Sequence, residues 1–153
     1  MENDKSIDVL NSVLEINNDR IAGYETALKE TEDSDLKTVF LQFIQTSNRC
    51  KSELISEIAR ISGTPIEGTK TSGKIFRIWM DFKAAITGKD RKAILNSCEF
   101  GEDAAVETYE DVLADHSNDL SFDQQALIRK QLSNIMTDHN KVKELRDSLV
   151  AHH

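Results

Sequence analysis

Apolar residues recur at spacings of three and four along most of this chain, which is the signature of amphipathic helices. The first such stripe, over residues 6–29, carries Leu10, Val13, Leu14, Asn17, Ile21, Tyr24 and Leu28. The polar group TEDSD at 31–35 interrupts it, and Asp33 or Ser34 can cap the next helix. Residues 35–62 repeat the pattern with Leu36, Phe40, Phe43, Ser47, Cys50, Leu54, Ile58 and Ile61, ending at Gly63 and Pro65. After the loop GTPIEGTKTSG, residues Ile75, Phe76, Trp79, Phe82 and Ile86 predict a short helix over 73–87. A third long helix over 90–115 shows Ile94, Cys98, Glu102, Ala105, Tyr109 and Val112. The fourth, over 121–149, opens on the capping-box pair Ser121 and Gln124 and continues through Ile128, Leu132, Ile135, His139, Val142 and Leu149.

Four long stripes with one short one predict an all-α chain, a single four-helix-bundle domain over 1–153. The connection between the second and third long helices is the informative one. A helix of about 27 residues is roughly 40 Å long, and residues 63–88 can reach roughly 55 Å. That reach suits a long crossover running the length of the bundle, as in ferritin-like folds, better than a local turn. Trp79, Phe76 and Phe82 read as the face of the crossover helix that packs on the bundle, with a partner-binding face as the alternative.

Composition narrows the function. A formal net charge of -8 with no basic run argues against a nucleic-acid partner. No stretch of 18 apolar residues predicts a membrane span, and the polar start MENDKSID lacks the build of a signal peptide. Cys50 and Cys98 fall at apolar positions of separate helices, so they read as buried, free thiols of a cytoplasmic protein. Nothing in these features argues against a homo-oligomer.

The chemistry rests on polar residues at positions where the period demands apolar ones. Glu25 sits beside Tyr24, Glu102 lies between Cys98 and Ala105 with Glu99 three residues before it, and His139 falls between Ile135 and Val142. With crossover topology, Glu25, Glu99, Glu102 and His139 come within roughly two turns of one another. Glu53 falls toward the other end and is a secondary candidate. An unpaired buried carboxylate or imidazole is expensive, so something must satisfy these groups. One solution is a metal ion held by carboxylates and an imidazole, a donor set that suits iron, manganese or zinc. Another is a hydrogen-bonded network of Tyr24, Glu25, Tyr109, Glu102 and His139 without metal, and a third leaves some of them at the solvent edge. The chain lacks any Glu-x-x-His, which argues against a standard di-iron centre. His116 at a helix end and the tail His152–His153 do not read as ligands. No phosphate loop, zinc-type Cys spacing or nucleophile elbow occurs.

The stretches LNSVLEINNDRIAGYETAL (10–28), RCKSELISEIARISGTP (49–65), FRIWMDFKAAITGKDRKAILNSCEFGEDAAVETYEDVL (76–113) and DHNKVKELRD (138–147) together resemble an uncharacterised bacterial family of four-helix-bundle proteins in the ferritin-like superfamily. The most specific part is RIWMDFKAAITGKD with GEDAAVETY. Where that family often carries a His before the Arg of its His-Arg-x-Trp stretch, this chain has Phe76, so a role tied to that His is lost. The resemblance implies a ferritin-like bundle and a stress-linked role, and it brings no reaction with it. Two functions are open: a bundle with a metal or polar site serving metal or oxidative-stress handling, or a non-enzymatic structural or interaction protein whose buried polar groups set helix register.

Overall fold

Each polar interruption read from the sequence ends a helix in the computed structural model, which describes residues 2–70 and 73–151. The helices are α1 (Glu2–Glu30), α2 (Ser34–Arg60), α3 (Gly73–Gly88), α4 (Arg91–Asp115) and α5 (Phe122–Ala151), with a 3-10 turn at Ser117–Asp119. No strand occurs among the described residues, and none of their helices is long and apolar enough to cross a membrane. The side chain of Leu149 and all of His152 and His153 lie outside the described residues.

Local chemistry explains the boundaries. Asp90 caps α4, its carboxylate accepting from Lys92 N–H at 3.2 Å. Ser121 and Gln124 form the expected capping box: Gln124 Oε1 accepts from Ser121 N–H at 2.9 Å, and Ser121 Oγ accepts from Gln124 N–H at 3.1 Å. The end of α2 differs from the sequence reading. Ser62 takes the left-handed conformation (φ 66°), and Gly63 N–H then bonds Ile58 O at 2.8 Å. Gly63 is needed for space instead, because a Cβ there would stand 2.8 Å from both Ile58 and Ile7.

The core divides into two apolar clusters. One gathers Leu10, Val13, Leu14 and Ile16 of α1 with Leu54 and Ile58 of α2, Ala105, Tyr109 and Val112 of α4, and Ile128 and Ile135 of α5. The other gathers Tyr24 and Ala27 with Leu36, Phe40 and Phe43, then Ile94, Leu95 and Cys98, Val142, and Trp79, Phe82 and Ile86 of α3. Between them, every long helix contributes polar residues: Asn17 and Arg20, Ser47, Glu102, Asp138.

The segment after α2 is laced to one face of α1. Asn11 brackets it, donating to Thr64 O (3.1 Å) and accepting from Ile66 N–H (2.8 Å). Asn18 donates to Gly68 O at 3.0 Å, and Asp19 accepts from Lys70 N–H at 2.9 Å. Lys70 Nζ also pairs with Glu15 at 2.7 Å. Residues 11, 15, 18 and 19 share a helical face, so α1 presents one polar stripe to this backbone. Farther on, Trp79 of α3 is wedged between two glycines, Gly23 of α1 and Gly101 of α4. Arg91 then bonds Asp35 (2.6 Å) and Asp33 (3.3 Å), fastening the start of α4 to the start of α2.

The glycines are there because the indole leaves no room for a methyl group. A Cβ at Gly23 would lie 2.5 Å from Trp79 Cε3, and one at Gly101 2.9 Å from Cη2. Alanine raises intrinsic helix propensity by about 1 kcal/mol over glycine, yet overpacking costs about 1–3 kcal/mol. Gly23→Ala is therefore expected to lower stability in urea despite its better propensity, with the emission of Trp79 moving to the red as the indole is pushed outward. Gly101→Ala should do the same more weakly.

Candidate functional site

The stripe of α1 that faces the core runs Leu10, Val13, Asn17, Arg20, Tyr24, Ala27, a regular alternation of three and four. Arg20 thus occupies a core position, and its side chain is fully buried. Its guanidinium forms a two-pronged pair with Glu102, Nε to Oε2 at 2.8 Å and Nη2 to Oε1 at 2.7 Å. Nη2 also reaches Asp138 Oδ2 at 3.2 Å, and Nη1 donates to Ser47 Oγ at 2.7 Å. Four helices therefore meet on one side chain. The rings of Tyr24 and Phe43 lie 5.6 and 5.8 Å from the guanidinium carbon and close the site on the aromatic side.

From Arg20 a chain of hydrogen bonds leads outward with every donor pointing the same way. Ser47 Oγ donates to Asn17 Oδ1 (2.9 Å), Asn17 Nδ2 to Tyr109 Oη (2.9 Å), and Tyr109 Oη to Gln131 Oε1 (2.7 Å). Gln131 Nε2 then donates to Glu53 Oε1 at 3.1 Å, and Lys130 Nζ pairs with Glu53 Oε2 at 2.6 Å at the surface. Such head-to-tail ordering lets each bond polarise the next.

Electrostatics divides the two carboxylates. Burial works against the Arg20 charge, but Glu102 beside it raises the guanidinium pKa above its already high usual value. Desolvation pushes the Asp138 carboxyl up from its usual range; Arg20 opposes this and nearby Glu102 adds to it. Burial also raises the thiols, Cys50 to about 11 and Cys98 further, so both stay protonated and neither is a nucleophile. Cys98 Sγ sits 3.3 Å from Tyr24 Oη.

Of the candidate metal ligands read from the sequence, only Glu102 lies in this centre. Glu25, one residue past Tyr24, is rotated to the exposed side of α1. Glu99 is half-buried and pairs with Arg146 of α5. His139 is half-buried too, its Nε2 on Asp103 at 2.5 Å, and Glu53 ends the hydrogen-bond chain at the surface. The expected network of Tyr24, Glu25, Tyr109, Glu102 and His139 is thus replaced by one built on Arg20, Asp138, Ser47, Asn17 and Gln131, keeping Glu102 and Tyr109. The reason is one of phase. Choosing the apolar Ile21, Leu132 and the next residue His139 over the polar Arg20, Gln131 and Asp138 turns each stripe by about 100°. The signal that finds the true face is the unbroken three-four spacing 128, 131, 135, 138, 142 on α5 and its counterpart on α1.

A divalent cation does not fit this centre. The carboxylates that would hold it already share a guanidinium, and a second positive charge beside Arg20 would be repelled in a desolvated site. Among the described residues, no group of three or more His, Cys, Asp or Glu side chains is arranged to hold a metal ion. The five surface cavities described are lined by other residues than Arg20, Glu102 and Asp138. What the arrangement can do chemically is hold charge and fix geometry.

Removing the cation leaves two buried carboxylates unpaired, so Arg20→Met should cost about 3–5 kcal/mol in chemical denaturation. Asp138 gives a pH dependence of definite sign. Its native pKa lies above its unfolded value, so between them the native state holds more protons and stability falls as pH rises from about 4. Asp138→Asn should flatten that slope relative to the wild type in denaturation series at several pH values.

Comparison with known proteins agrees in part with the resemblance read from the sequence. No curated protein matches this chain. Residues 5–115, covering α1 to α4 and most of the chain, match a family described as "Domain of unknown function (DUF2383)", so the stretch 138–147 in α5 lies beyond the match. The chain belongs to the DUF2383 family.

Proposed function

We propose that this protein is a non-enzymatic, ferritin-like helical bundle with a structural or protein-interaction role, whose buried ion-pair centre stands where a ferritin-like bundle would hold metal. The observation that carries the reading is Arg20 itself, wholly buried and bonded to α2, α4 and α5 at once. A guanidinium supplies in permanent form the positive charge that a metal would bring to inward-facing carboxylates. Because its donors have fixed directions, the four helices satisfy them together only in one register. A buried polar group of this kind favours uniqueness of packing more than stability.

The ferritin-like assignment is supported by the path after α2. The contacts of residues 64, 66, 68 and 70 advance along α1 from Asn11 to Asp19, Trp79 comes next at Gly23, and Arg91 arrives at Asp33 and Asp35. The early residues of α2 share an apolar cluster with the early residues of α4, as parallel helices joined by a long crossover would. This reading favours the register-setting role over metal or oxidative-stress handling.

Elemental analysis of protein purified without chelator tests it directly. The expected result is well below one metal ion per chain, unchanged by Glu102→Gln. One equivalent of iron, manganese or zinc, lost on substituting Glu102, would overturn the proposal. As a second arm, replacing Arg20, Glu102 and Asp138 together by apolar residues should restore much of the stability that Arg20→Met loses, because no charge is then stranded. The same triple variant should show broadened side-chain NMR signals if the network sets register.

A further inference from the structure

Three side chains of α1 hold the backbone of the segment that follows α2. Asn11, Asn18 and Asp19 bond the main chain at Thr64, Ile66, Gly68 and Lys70. Only alternate residues are engaged, which is the period of an extended chain whose successive peptide groups point to opposite sides. Side chains of the segment add two contacts. Ile66 packs against the first apolar cluster, and Lys70 Nζ pairs with Glu15 at 2.7 Å. What α1 recognises here is an extended backbone carrying an apolar residue and, four places on, a cation.

Segment 64–70 fills this face of α1 without saturating it. None of its residues is buried; Thr64, Glu67, Gly68 and Thr69 are exposed and the others half-buried, so lifting it uncovers little apolar surface of its own. Beneath it, Asn18 and Asp19 are 5% and 4% exposed, yet Asn18 Oδ1 and Asp19 Oδ2 have no hydrogen-bond partner among the described residues. Each of these oxygens shares its Cγ with the atom that bonds the segment, so both lie at this seam. A buried acceptor left unmet costs at least as much as a made hydrogen bond contributes, so the two offset much of what the ladder gains. Water on release, or a ligand that brings further donors, answers both.

Building on the protein-interaction role proposed above, we propose that the α1 face of Asn11, Glu15, Asn18 and Asp19 is a binding site for an extended peptide. The chain's own segment 64–70 occupies it and is released while the bundle stays folded. The partner is a polypeptide segment with an apolar residue followed at the fourth place by Lys or Arg. Backbone bonds from the asparagines supply affinity for any extended chain, while the apolar contact and the Glu15 carboxylate select the sequence. Release stops short of α3, because Trp79, Phe82 and Ile86 are buried in the aromatic cluster and owe nothing to the ladder.

Amide exchange in the full-length, ¹⁵N-labelled protein tests release. Ile66 and Lys70 N–H both donate to α1, and both should exchange about a hundredfold faster than Val13 and Tyr109 of the core, at rates that low urea leaves unchanged. Exchange of the two only in step with the core would overturn the proposal. A synthetic peptide of residues 62–70, SGTPIEGTK, tests the site. In excess it should shift the side-chain amide signals of Asn11 and Asn18 saturably. Lys70→Ala in the protein cuts the segment's ion pair and leaves α1 unchanged, so it should tighten peptide binding by about tenfold as the site is freed more often. The same peptide with alanine for its isoleucine and lysine should bind more weakly. No shift at millimolar peptide with either protein, equal affinity for both peptides, or an affinity that Lys70→Ala leaves unchanged would overturn the site. The exchange measurement needs no variant. Metal in the purified protein would overturn the function proposed above and leave these measurements as they are, so the two can fail separately.

Discussion

A guanidinium removed from water must be fully answered, and that demand organises this bundle. Arg20 cannot release its proton, so its burial is tolerated only where carboxylates and hydroxyls converge on it. Glu102 answers two of its five N–H donors, Asp138 and Ser47 one each, and the three come from different helices. Sliding any one helix by a residue would strand a charge, whereas an apolar layer would tolerate the slip at modest cost. The two hydrophobic clusters on either side supply the bulk of the burial, and the polar layer decides which packing of them is allowed.

The aromatic cluster depends on the same centre. Tyr24 and Phe43 lie against the guanidinium, Phe40 stacks on Tyr24 at 5.5 Å, and Trp79 and Phe82 meet Tyr24 edge to face. This wall keeps water from Arg20, which strengthens the ion pairs that hold it. Trp79 enters only because Gly23 and Gly101 leave a slot, so the seat of α3 is prepared by residues far apart in sequence. A helix placed in the chain as a mere connection thereby completes the core.

Much of this is legible in the residues alone. Helix positions, the capping box at Ser121, the free buried cysteines and the inward burial of Glu102 all follow from local spacing and residue chemistry. The centre itself is not. Glu25, Glu99, Glu53 and His139 are acids and an imidazole of the kind that hold metals, and they stand close to the stripes, but each is turned away or paired at the periphery. Arg20 and Asp138 escape a reading of spacing because a charged side chain normally marks the solvent face, and an apolar neighbour one residue on offers a tempting substitute.

By itself, the sequence determined the number and extent of the helices and the all-α class, because periodicity, caps and breakers act over a few residues. Only the tertiary structure decided which polar residues are core, because that depends on partners distant in the chain. Arg20 is separated from Glu102 by 82 residues and from Asp138 by 118. An arginine's spacing along one helix says that it can face inward; whether it does depends on charges that only the packed bundle brings within reach.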